Sequence, residues 1–268
     1  MKGQTPRSQR QLQAALEALP RPVYGHAEAL PNIALGYRHR HPWGQLSYAA
    51  HGVLQVHTDA GHYSVPPQRA VWVPAQVVHQ VSCAPGTCLR SLYLDPQLMI
   101  WPTAQCRVIS VNPLLRELIR SFSELPVAYD LDGAPGRLVA VLLDQLAAAP
   151  EEDLVLPIPR DPRLRALCRR LQQRPDDSTR LLDLSRKAGV SEKTLSRRFL
   201  RDTGMTFRLW RQRLRLLSAL PALQRGERVT DVALACGYES LSAFIAAFGK
   251  QFDLSPGEFQ RQNALHGQ

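Results

Sequence analysis

Hydrophobic positions change their period twice along this chain, and each change marks a region. Leu12, Ala15, Leu16 and Leu19 recur at helical spacing until Pro20 and Pro22 interrupt them. That pattern predicts a short amphipathic helix within an N-terminal arm, residues 1–22. From about Val23 to Val111 the apolar residues fall into short runs (Gln45–Tyr48, Val53–Thr58, Val71–Val73, Leu89–Leu94) separated by Gly and Pro. Runs of that length predict an antiparallel barrel or jelly roll. A helical period returns in Pro113–Leu125, with Leu114, Leu118 and Phe122 on one face, and in Gly136–Ala149, with Leu138, Val141, Leu142, Gln145 and Leu146. Both are amphipathic enough to pack on the barrel or on a second subunit. These elements make up an expected domain over residues 23–150. Pro150–Pro162, with its acidic triplet Glu151-Glu152-Asp153 and four prolines, breaks the helix, and residues 151–161 are expected to be an interdomain linker.

The remainder, residues 162–264, is helical throughout in its pattern. After a helix near Pro162–Gln173, Leu184 and Ala188 face inward, Gly189-Val190-Ser191 forms a turn, and Ser191 is placed to cap a helix starting at Glu192. Burying Leu195 and Phe199 leaves Lys193, Thr194, Ser196 and Arg197 outside. A second unit repeats this 48 residues on, counted from Gly189 to Gly237. It has Thr230 as its expected cap, Val232, Ala233 and Ala235 inward, Ser240 as the next cap, and Phe244 and Phe248 inward. Between the units Thr206–Leu220 forms an Arg-rich helix with Phe207, Trp210, Leu214 and Leu217 on its apolar side, and Pro221 is expected to kink or stop it.

Charge sharpens this division. Residues 1–159 carry 12 basic and 12 acidic side chains, whereas residues 160–268 carry 21 and 11, so the whole formal charge of +10 is C-terminal. A basic segment of that kind is drawn to a nucleic-acid phosphate backbone, and charge alone leaves a membrane surface or RNA open beside DNA. No apolar run approaches the ~20 residues that cross a bilayer, and nothing near Met1 reads as an export signal. Five scattered cysteines without CxxC pairs read as reduced thiols, and a cytoplasmic, nucleoid-associated location is expected.

Two helix-turn-helix units on basic helices place one helix of each in the major groove. The first offers Ser191, Lys193, Thr194, Ser196 and Arg197, and Arg197 is the side chain best suited to bond guanine bidentately. The second offers Ser240, Leu241, Ser242 and Lys250, few of which read bases. Its expected contribution is apolar contact to thymine methyls and phosphate contacts from the Ser240 N–H and Lys250, or simply the positioning of the first unit.

The stretch Gly237-Tyr238-Glu239-Ser240, Phe244, Phe248 and Phe252-Asp253-Leu254-Ser255-Pro256, within tandem units over residues 160–262, resembles the AraC/XylS family of transcriptional regulators. The resemblance implies sequence-specific DNA binding by both helices, a homodimer, and a possible contact with RNA polymerase. It maps recognition positions onto Lys193, Ser196 and Arg197, then Leu241, Ser242 and Ala246. Many relatives carry a basic residue where Ala246 stands.

In the first half, His39, His41 and Gln45 form HxHxxxQ, and Pro74 precedes His79 by five residues. This spacing resembles the two cupin motifs, with Gln45 in the usual Glu position and Gln76 where Gly is common. Residues two apart in a strand share a face, so His39 and His41 both point inward. The resemblance implies a metal held by His39, His41, Gln45 and His79, and three imidazoles with an amide oxygen suit Zn, Ni, Fe or Mn without choosing among them. The alternatives are an organic effector contacting the same groups, with Trp43, Tyr48 and Trp72 as pocket walls, and a purely structural polar core. His26, His51, His57, His62 and His266 lack paired spacing and read as surface residues. Barrel and helices together look like the NimR-type subgroup of the family.

The fold class expected is α+β with two domains, an N-terminal cupin-like jelly roll with packed helices and a C-terminal all-α tandem helix-turn-helix domain. The function expected is a regulator, not an enzyme, that senses a small molecule or metal. A cupin metalloenzyme carrying a nucleic-acid anchor is the competing class, weakened because no carboxylate or acid/base residue accompanies the histidines. A DNA-packaging protein without a sensor is weakened by the neutral first half.

Overall fold

The structure, a computed structural model, describes residues 16, 18–25, 36–83, 87–98, 101 and 105–265. Most of the expected N-terminal helix, with His26 and His266, lies outside the described residues. Ten strands occur among the described residues: β1 (Val23–Tyr24), β2 (Gly44–His51), β3 (Leu54–Thr58), β4 (Gly61–Val65), β5 (Arg69–Val73), β6 (His79–Cys83), β7 (Cys88–Leu94), β8 (Arg107–Ser110), β9 (Glu151–Glu152) and β10 (Val155–Pro157). They form a six-stranded sheet in the order β1-β7-β2-β5-β8-β9 and a four-stranded sheet in the order β10-β4-β3-β6. β2 and β5 pair antiparallel with Leu46 opposite Trp72 and Tyr48 opposite Ala70.

Helices α1 (Pro113–Ser123) and α2 (Ala134–Ala148) follow β8. Asn112 caps α1, its side chain accepting from the Leu115 N–H, and Pro113 occupies a first-turn position where no N–H is needed. The buried face of α1 is Leu115, Ile119 and Phe122, with Leu114 53% exposed, and that of α2 is Val139, Leu142 and Leu146, with Val141 44% exposed. Of the expected faces, Phe122, Leu142 and Leu146 are buried and Leu118 and Leu138 pack partly against the same core, whereas Leu114 and Val141 turn outward and Leu115, Ile119 and Val139 take the centre, because in a Leu- and Val-rich helix two neighbouring apolar stripes fit a 3.6 period and packing chooses between them. These helices close one core cluster with Leu46, Tyr48, Trp72, Leu92 and Ile109 from the six-stranded sheet.

The chain divides into two compact units, residues 1–50, 54–56 and 65–153, and residues 51–53, 57–64 and 154–268. The expected linker, residues 151–161, is not a free connection. Glu151 and Glu152 pair with Ile109 and Val108 inside the first unit, and Val155, Leu156 and Pro157 pair with Tyr63, His62 and Gly61 inside the second. Ion pairs of Arg69 with Glu152 and Arg107 with Glu151 explain how two acids of the triplet enter a strand.

The second unit contains α3 (Pro162–Gln173), α4 (Leu181–Ala188), α5 (Glu192–Thr203), α6 (Phe207–Gln224), α7 (Val229–Ala235), α8 (Leu241–Phe252) and α9 (Pro256–Leu265). Gly189 (φ 64°) and Gly237 (φ 81°) sit in the left-handed region at the two turns, a conformation that a Cβ disfavours. Helix α6 does not stop at Pro221 but continues to Gln224, because Leu220 and Leu223 on either side are fully buried and that packing outweighs one lost hydrogen bond. At the second unit's first helix, Arg228 rather than Thr230 is the cap, and Ala235 is exposed. Trp210 anchors the bundle, donating from Nε1 to the Pro157 carbonyl at 2.8 Å, and buried Arg213 donates to the Val155 carbonyl at 2.9 Å.

Candidate functional sites: a histidine cluster and a two-helix DNA face

His39 and His79 are brought together by a backbone bridge, each N–H donating to the other's carbonyl at 2.9 and 2.8 Å. The Gln76 N–H donates to the His41 carbonyl, and Gln76 adopts φ 63°, the left-handed turn conformation that Gly takes most readily. Ligating atoms of His39, His41 and His79 lie within 4.8 Å of one another, and all three residues are buried.

In each histidine Nδ1 faces a backbone carbonyl: Tyr37 at 2.9 Å, Trp43 at 2.8 Å and Val77 at 2.9 Å. A carbonyl only accepts, so each Nδ1 carries the proton and each neutral ring presents a lone pair at Nε2. Burial lowers all three histidine pKa values, that of His79 to about 3, so the rings stay neutral near pH 7. Gln45 Oε1 lies 3.0 Å from His41 Nε2 and 3.1 Å from His79 Nε2, and Gln45 Nε2 donates to Ser47 Oγ, to which Ser91 Oγ also donates. Three acceptors then meet, and either a cation stands among them or the amide turns to donate to the two nitrogens. The buried Nε2 of His39 has no partner among the described residues. The donor set therefore fits a cation: three lone pairs and one amide oxygen, with the outer nitrogens fixed by carbonyls as metal-ligating histidines are.

Trp43 stacks on His41, centroids 5.4 Å apart, and Tyr93 lies 4.9 Å from the same ring. Tyr48 and Trp72, expected beside them, belong to the opposite side of the sheet. Strand alternation sends Gln45 and Ser47 to the histidines and Leu46 and Tyr48 to the helix-covered core, and Trp72 shares that side as Leu46's register partner. Ser47 and Ser91, which orient the Gln45 amide, were not anticipated, although Ser47 stands two residues from Gln45 and so on its face. His57 and His62 are not surface residues either. Their rings pack 4.0 Å apart across the β3–β4 hairpin, and burial lowers both pKa values, His62 to about 3.

In the second unit Ser191 caps α5 by accepting from the Thr194 N–H, and its hydroxyl is also 2.9 Å from that of Thr194. Thr194 is thus partly occupied by the cap. Lys193, Ser196 and Arg197 are exposed, and among the described residues neither cation forms an ion pair, whereas Arg198 is held by Asp161. Ser240 caps α8 through the Ala243 N–H. Leu241, Ser242, Ile245, Ala246 and Lys250 are exposed, and Phe244, Phe248 and Phe252 are buried.

Residues 184–262 match the family described as a helix-turn-helix domain, and residues 21–186 match the AraC-like ligand binding domain. The chain is 34% identical to the HTH-type transcriptional regulator NimR of Escherichia coli K12 over 82% of this chain and 81% of that protein. The chain belongs to the AraC family. A further relative, the HTH-type transcriptional regulator RipA of Corynebacterium diphtheriae, is 30% identical over 47% of this chain and 36% of its own length. The crystal structure of ToxT from Vibrio cholerae O395 matches 89% of this chain and 92% of its own at 12% identity, with a TM-score of 0.38.

This AraC-family member is therefore a DNA-binding transcriptional regulator with a helix-turn-helix domain and a ligand-binding domain, built as a sheet-rich N-terminal half and a helical C-terminal half. Its relatives are regulators, which points to a non-enzymatic role. No helix among the described residues is long and apolar enough to cross a membrane.

Proposed function

We propose that this AraC-family regulator senses a divalent metal ion through His39, His41, His79 and Gln45, and that occupancy shifts its affinity for DNA. The observation that carries the reading is the convergence of three Nε2 lone pairs whose Nδ1 positions are each fixed by a backbone carbonyl. Zn, Ni, Fe and Mn all suit this donor set, and a bound ion would supply a positive charge that ties β6 to the segment before β2. Gln45 in place of a carboxylate leaves the ion's charge unbalanced, which favours reversible occupancy over a permanent structural ion. An organic effector is the second reading, favoured by the buried Trp43 Nε1, which has no partner among the described residues and belongs to the ring stacked on His41.

Lys193, Ser196 and Arg197 are proposed to read bases, with Ser191 and Thr194 building the cap, while Ser240, Leu241, Ser242 and Lys250 give backbone and methyl contacts. We propose a cytoplasmic, nucleoid-bound homodimer that acts through RNA polymerase and performs no catalysis. Exposed Leu114 and Val141 on the first unit's helices support self-association. Elemental analysis of purified protein dialysed against Zn tests the sensor. One equivalent per chain is expected for the wild type and much less for His79→Ala at unchanged secondary structure. Equal metal in both proteins would remove the histidines from the site.

A further inference from the structure

Between the two helix-turn-helix units, wholly within the second compact unit, lies a recess of about 800 Å³. Its cationic lining comes from Arg180, Lys193, Arg197, Arg208, Arg211 and Arg215, against one carboxylate, Glu192, among the described residues. Three of those cations stand on α6, the helix joining the two units, which the sequence pattern assigns only a connecting role. Their states differ. Arg211 lies over the Phe207 ring, 4.7 Å from its centroid, and donates to the Thr179 carbonyl, while Arg215 donates from Nε to the Pro175 carbonyl at 3.1 Å. Both are anchored in the protein and contribute field more than contact. Arg208 is exposed and, among the described residues, forms no ion pair.

The opposite wall is Ala243 and Ala247 of α8, whose short side chains leave the recess open. A helix whose one cation, Lys250, stands in its last turn thus borders a recess whose charge comes mainly from α5 and α6. Resting on the DNA-binding reading, we infer that this recess is a third DNA contact: it seats backbone phosphates that pass between the two major-groove segments, with Arg208 as the contacting side chain. Phosphate contacts fix register without reading sequence. That is what a protein with one well-armed reader and one bare reader needs to hold the second helix on DNA.

The test uses the full-length protein and a 30-base-pair duplex that it selects from a random-sequence pool, beside an unselected duplex of equal length. Affinity is measured across a KCl series for the wild type, Arg208→Ala, Arg208→Lys and Arg197→Ala. Arg208→Ala is expected to weaken both duplexes by the same factor, roughly three- to tenfold, and to lower the slope of log affinity against log salt by about one. Arg208→Lys restores the slope, and Arg197→Ala weakens the selected duplex preferentially. Neutral methylphosphonates midway between the two protected segments are expected to weaken the wild type and leave Arg208→Ala unaffected. An unchanged slope in Arg208→Ala, or a loss confined to the selected duplex, would overturn the phosphate seat while leaving DNA recognition intact. A wild type that selects no sequence would overturn the DNA reading itself. Saturation of the recess by 1-naphthoate with no effect of Arg208→Ala on DNA would instead assign it to organic anions.

Discussion

Arg197 and Lys193 are proposed as base readers because of what surrounds them. Each is exposed on α5 without an ion pair among the described residues, while nearby Arg198 and Arg201 are neutralised by Asp161 and Asp202. Arg197→Ala is expected to cost about 1–3 kcal/mol at one base pair and to relax preference there, checked by affinities for single-base variants of a selected duplex. A second residue-scale prediction concerns His62. Its pKa is near 3 when folded, because burial and then the neighbouring His57 disfavour its charge, but near 6.5 when unfolded. Below pH 6.5 the unfolded chain binds a proton that the folded hairpin refuses, so stability is lost as pH falls from about 6.5 towards 3. The loss is up to about 1.4 kcal/mol per pH unit from this group. His62→Phe should flatten the pH dependence of urea midpoints between pH 6 and pH 4, and an unaltered slope would show that the hairpin already admits the proton. That His39, His41 and Gln45 come together was legible because residues two and four apart in extended chain share a face, whereas His79 was placed only by the likeness to the cupin motifs. The His57–His62 pair was not legible, since pairing across a hairpin depends on register, which spacing along one strand does not contain.

At the scale of elements, most boundaries followed from caps and breakers. Asn112, Asp161, Ser191, Thr206 and Ser240 each cap a helix through a side-chain oxygen, and Gly189 ends α4. The misreadings arose where local signals were outweighed by burial. Pro221 reads as a stop, yet Leu216, Leu217, Leu220 and Leu223 carry α6 past it. Pro221→Ala restores an N–H for the Leu217 carbonyl without changing the buried face, so a gain of about 1–3 kcal/mol is expected in urea unfolding. A loss would mean that the proline's packing contributes more than the hydrogen bond it removes. Residues 151–157 read as a linker because of their acids and prolines, and the partners that make strands of them, Arg69, Arg107 and the β4 backbone, lie far away in sequence. The same limit explains Tyr48 and Trp72. Their aromatic character suggested a pocket wall, but strand alternation had already committed them to the face opposite Gln45.

At the scale of the whole molecule, charge and chemistry are segregated. The first unit gathers neutral histidines into a buried cluster, and the second gathers the chain's excess cations around two helix-turn-helix units. A regulator built this way works only if its ligand binds the two functional states unequally, since equal affinity shifts nothing. If that ligand is the proposed metal ion, reciprocity requires DNA to change metal affinity by the same factor that metal changes DNA affinity. The proposed link between the histidine cluster and the DNA face through a bound ion is read out by titrating a selected duplex with full-length protein, Zn-loaded or chelator-treated. At least a fivefold difference in affinity is expected between the two wild-type forms, on the order of the smaller allosteric couplings, and none between the two preparations of His79→Ala. Identical affinities for Zn-loaded and chelator-treated wild type, with Zn bound in the former, would contradict it.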